Sequence, residues 1–101
     1  MMMMMVAATA APVAAAITEK KVKATWTTAR PAAEVAGCLT GEMSWNGQMS
    51  SLPAPGGAQR LQFAFFGQVT TDLLITPGDP TRIELRGMSS KRIRASVARC
   101  L

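Results

Sequence analysis

The chain has 101 residues, enough for one domain, and eleven Lys plus Arg against six Asp plus Glu give it a net charge of +5. It contains no histidine, which removes an imidazole base, Ser-His and Cys-His nucleophiles and His-ligated metal sites. Two cysteines cannot complete a tetrahedral zinc site without carboxylates, and the six scattered acids offer no motif for one, so no metal, cofactor or enzymatic activity is expected.

Residues 1–16, MMMMMVAATAAPVAAA, carry no charge; the first is Glu19. The apolar run followed by Ala14-Ala15-Ala16 fits the core and cleavage site of a secretory signal peptide, and because the basic start is missing the signal reads as truncated. A retained anchor competes with this reading, but the run is alanine-heavy, interrupted by Pro12 and shorter than the roughly 20 apolar residues of a span. A low-complexity tail of no consequence is the third reading. Export is therefore expected, to the periplasm or as a secreted protein, leaving one domain over residues 17–101 and no stable transmembrane span after signal removal. In an oxidising compartment two cysteines in a short chain read as a bridge.

Val22, Ala24 and Trp26 alternate with Lys21, Lys23, Thr25 and Thr27, the period of a half-buried strand with a cationic outer face. A helix is expected over Ala29 to Glu42, with Pro31 in its first turn and Gly41 at its end. Ala32, Val35, Cys38 and Leu39 share one face of it, which turns Cys38 toward the core. Val35-Ala36-Gly37-Cys38 resembles the lipobox of bacterial lipoproteins, but Lys20, Lys21, Lys23, Arg30 and Glu34 precede it, so it cannot close an apolar signal and lipidation is rejected.

Residues 43–59, dense in Ser, Gly and Pro, read as a mobile loop with a short extended piece around Met49 to Leu52. Leu61 to Phe66 and Val69 to Thr76 read as strands separated by Gly67-Gln68, and Thr81 to Arg86 as a further strand after the turn Pro77-Gly78-Asp79-Pro80, the last two forming an antiparallel hairpin. A final helix starts at Ser89 or Ser90, either of which can cap it, and puts Ile93, Val97, Cys100 and Leu101 on one face. The order β-α-β-β-β-α predicts an α+β two-layer sandwich, both helices on one face of an antiparallel sheet and joined by a Cys38–Cys100 disulfide.

With RPAAEVAGCL at the first helix, the TRIELR strand and the closing VARCL in place, the chain resembles a loose group of small exported proteins of proteobacteria, periplasmic or lipoprotein-like. That resemblance implies export and no particular activity.

Arg82, Arg86, Lys91, Arg92, Arg94 and Arg99 crowd the last twenty residues against the single acid Glu84, a candidate surface for an anionic partner. The expected function is that of a non-enzymatic envelope or interaction protein contacting a protein or an anionic envelope component. Nucleic-acid binding through the basic C-terminal helix is the alternative, weakened by the lack of interleaved aromatics. Asp72 and Glu84 are expected on neighbouring strands, where paired carboxylates more often serve surface pairing than acid-base chemistry. Trp45, at the mouth of the Gly/Pro stretch, and Phe66, on the polar side of its strand, are the aromatics expected to face a partner.

Overall fold

The computed structural model describes residues 17–101. The expected signal segment over residues 1–16 lies outside the described residues. The elements are β1 (Val22–Thr28), α1 (Ala32–Glu42), β2 (Gln48–Pro53), β3 (Gln59–Phe65), β4 (Gln68–Thr76), β5 (Thr81–Gly87) and α2 (Lys91–Ala98). The fold is α+β: one five-stranded antiparallel sheet in the order β1-β5-β4-β3-β2, with two helices. Among the described residues no helix is long and apolar enough to cross a membrane.

Alternation decides which sheet face is covered. Leu61 and Phe63 on β3, Leu73 and Ile75 on β4, and Ile83 and Leu85 on β5 are fully or almost fully buried and join Val35, Leu39, Ile93 and Val97 of the helices in one core. Each such side chain contributes about 1.5–3 kcal/mol on leaving water, which orders helices too short to persist alone. The opposite face carries Arg60, Gln62, Asp72, Leu74, Arg82, Glu84 and Arg86, the residues between the buried ones.

The sheet has one strand more than the expected β-α-β-β-β-α order. The stretch read as a loop over residues 43–59 contains all of β2, a single 3-10 turn at Pro55–Gly57 and the first residue of β3. β2 escapes the alternation test because it is an edge: five of its six residues are exposed, so neither face has to be apolar. Gly47, which leads into it, has φ +87°, and a β-carbon there would collide with the Ala64 carbonyl of β3. Only glycine permits so close a start to the β2–β3 ladder.

The first helix also starts later than expected. Pro31 is its extended cap, and proline pushes the residue before it out of helical conformation, so Ala29 and Arg30 cannot belong to the helix. At the other end Ser90 caps α2, its hydroxyl accepting the Ile93 N–H at 3.2 Å.

Candidate interaction surface

Cys38 of α1 and Cys100, just past α2, form a disulfide with Cα atoms 5.7 Å apart and 62 positions of chain between them. Closing that loop stabilises the fold by about 4 kcal/mol on the chain-entropy account. Cys100 is buried in the core and Cys38 packs against its rim. The bridge sits in a seam rich in other ties. The Trp45 indole N–H donates to Ser96 Oγ at 3.2 Å, and the Arg92 guanidinium lies 4.1 Å from the Trp45 ring centre. Arg99 pairs with Glu42, and Arg30 donates to the Cys100 carbonyl at 3.1 Å.

The six C-terminal cations do not form one surface. Arg82 and Arg86 project from β5 on the face away from the helices and share Glu84, at 3.0 and 3.4 Å, with Arg86 also donating to the Lys20 carbonyl. Lys91, Arg92, Arg94 and Arg99 belong to the helix layer on the other side of the sheet. There Arg92 covers Trp45, Arg94 donates to Ser89 at 3.0 Å and Arg99 holds Glu42, while Lys91 has no such tie among the described residues. Of these four cations Arg99 alone is ion-paired among the described residues, and all four are exposed.

The two carboxylates singled out by sequence are on adjacent strands, Asp72 opposite Arg86 and Leu74 opposite Glu84. Each is occupied by its own neighbours. Asp72, with 0% exposure, accepts from Arg60 at 2.7 Å and from Gln62 at 3.1 Å, while Glu84 lies between its two arginines. Among the described residues no cluster of three or more His, Cys, Asp or Glu is placed to hold a metal.

The aromatics separate in the same way. Trp45 is half-buried in the helix seam, with its ring face under Arg92. Phe66 is fully exposed and is the only non-glycine among the described residues with positive φ, at 52°. With Gly67 at φ 77° it forms the two-residue turn between β3 and β4, both residues left-handed as a type I′ hairpin requires. Asn-Gly or Gly-Gly ordinarily fills such a turn, because a bulky residue there is strained by about 1–2 kcal/mol. Phe66 thus combines a conformational cost with complete loss of burial.

Phe66 has company at that end of the sheet. Phe65 and Met88 are exposed large apolar residues. Beside the turn, Lys20 and Lys23 line an open cleft of about 400 Å³ together with Gln68, Thr70 and Met88. Among the described residues neither lysine makes an ion pair, whereas Ile17, which also lines the cleft, is buried and anchors the segment that carries Lys20. Sequence inspection finds Phe66 but not this setting, since Lys20, Gln68 and Met88 line one cleft only when the segment before β1, the start of β4 and the end of β5 are aligned in the sheet. Comparison with protein-family models, curated proteins and solved structures yields no match.

Proposed function

We propose that this chain is a non-enzymatic interaction domain, exported to the periplasm or secreted, that docks on an anionic component of the cell envelope through the β3–β4 turn. The resemblance to small exported proteins of proteobacteria is part of the same reading. The disulfide supports the compartment, since such bridges persist where conditions are oxidising. One observation carries the docking site: a phenylalanine held fully exposed at φ 52°. Folding gains nothing from that arrangement, so its benefit is assigned to binding. Lys20 and Lys23, which make no ion pair among the described residues and line the cleft with Gln68 of the strand that follows the turn, supply attraction to negative headgroups, and Phe66 with Met88 supplies the apolar wedge that enters the interface.

The test is co-sedimentation of the disulfide-bonded protein with vesicles of phosphatidylglycerol and phosphatidylcholine, and with phosphatidylcholine alone. Binding to the anionic vesicles only is expected, with loss in Phe66→Ser and weakening in a Lys20→Gln, Lys23→Gln variant. Absence of binding to anionic vesicles, or undiminished binding by Phe66→Ser, would overturn the reading.

A further inference from the structure

Asn46 is the only asparagine in the chain, and a glycine follows it. Packing accounts for each residue separately. Gly47 is required by its φ of +87° and by the approach of its backbone to the Ala64 carbonyl, where a β-carbon would collide. Asn46 closes the end of α1: its N–H donates to the Met43 carbonyl at 2.9 Å, and its side-chain amide donates to Thr71 Oγ1 of β4 at 3.1 Å. The fold thereby places side by side the two residue types most open to one covalent reaction.

In an asparagine-glycine pair the glycine nitrogen can attack the side-chain carbonyl carbon, since no β-carbon on the following residue obstructs it. Gly47 N gives its proton to hydroxide, a bond forms from that nitrogen to Asn46 Cγ, and the Cγ–Nδ2 bond breaks. The leaving nitrogen takes a proton from water and departs as ammonia, which returns the hydroxide. Water then opens the cyclic imide at either carbonyl, leaving aspartate or, with the main chain rerouted through the side chain, isoaspartate. Water is the sole co-reactant, and nothing is oxidised or reduced.

The folded chain withholds what this step needs. Asn46 is 1% exposed, and Thr71, which holds the leaving nitrogen, is fully buried. No donor among the described residues reaches Asn46 Oδ1, the atom on which negative charge grows as Cγ becomes tetrahedral. Gly47 is held against Ala64.

We propose that Asn46-Gly47 is a self-modification site that the native fold protects and the Cys38–Cys100 bridge times: the amide is lost from opened chains, and a chain that has lost it does not refold. Both products conflict with the site. Aspartate puts a charge where water is excluded and a threonine hydroxyl is the side-chain partner. Isoaspartate adds a backbone carbon before Gly47, which displaces that residue from Ala64 and shifts β2 against β3.

The bridge controls how often the chain opens. A reaction that runs through the unfolded state proceeds at the unfolded-chain rate multiplied by the fraction unfolded. Closing the loop between Cys38 and Cys100 lowers that fraction by about a thousandfold, so reduction hastens the loss of the Asn46 amide by up to that factor. A chain deprived of its bridge is therefore withdrawn from the folding equilibrium by its own chemistry.

The experiment follows intact mass against time in mildly alkaline buffer for the disulfide-bonded protein, the protein in reductant, and the disulfide-bonded protein in urea, with a peptide map to place the amide-to-acid mass gain on residue 46. The gain is expected fastest in urea, at least about a hundredfold slower in the native bridged protein, and at least about tenfold faster in reductant than in the bridged protein. Refolding from urea, read by circular dichroism, should fail in proportion to the gain. Asn46→Ser, which keeps a hydroxyl near Thr71, should refold fully after the same incubation. Should that variant not fold, wild-type chains separated into modified and unmodified fractions and refolded side by side decide the same point. A native rate equal to the rate in urea, a reduced rate equal to the bridged one, or a modified chain that regains the wild-type Tm would each overturn the proposal. Phe66 and the cleft lysines take no part in this chemistry, so vesicle docking and self-modification can fail independently.

Discussion

The seam between the two helices and the turn between β3 and β4 treat aromatic side chains in opposite ways. In the seam, Trp45 has its N–H bonded to Ser96, its face under Arg92 and a disulfide nearby. At the turn, Phe66 has a strained backbone and no burial. Stability is therefore concentrated where partners are plentiful, and recognition is assigned to the place where folding gives up energy. Changes in the seam should move melting and leave binding alone, and changes at the turn should do the reverse.

The harshest way to try that separation is to remove the bridge. Cys38→Ala with Cys100→Ala is expected to lower stability by about 4 kcal/mol, measured by urea denaturation, with vesicle binding retained at temperatures where the variant is folded. If binding falls in proportion to stability even there, the two regions are coupled. A milder change, Trp45→Phe, removes the bond to Ser96 and weakens the contact with Arg92; a loss of about 1–2 kcal/mol is expected, again without effect on binding.

Phe66→Asn sharpens the contrast from the other side, because asparagine tolerates left-handed φ. It should raise stability by about 0.5–1 kcal/mol, read as a higher Tm, while abolishing vesicle binding. A drop in Tm would mean that Phe66 helps to hold the fold. The smallest effect is expected for Glu42→Gln: the pair with Arg99 is partly exposed, so less than about 1 kcal/mol should be lost, and that loss should vanish in high salt.

Much of the fold was legible because burial leaves a period. Strands β4 and β5 alternate, Val35 and Leu39 recur at helical spacing, and the inward placement of both cysteines made their bridge a consequence of packing two helices on one sheet face. β2 was hidden for the complementary reason, since an edge strand exposed on both faces has no apolar pattern to display. Phe-Gly is not a recognised hairpin pair, so Phe66 was read as strand and its left-handed backbone was invisible. Gln62 and Asp72 occupy outward positions and alternate as solvent-facing residues should, yet both are buried, with Arg60 and Gln62 donating to the Asp72 carboxylate. The basic C-terminal residues illustrate a further gap: neighbours in sequence were grouped as one surface, whereas the sheet divides them between its two sides.

The position of Trp45 equips the molecule with an optical gauge of its own oxidation state. Its indole touches the helix that the bridge secures, through Ser96 and Arg92. Reduction is expected to free the end of that helix and move the Trp45 emission to longer wavelength, as a fluorescence spectrum with and without reductant would read. Trp26, on the sheet, packs against the same core as both cysteines, so the two indoles report on the helix seam and on the core together.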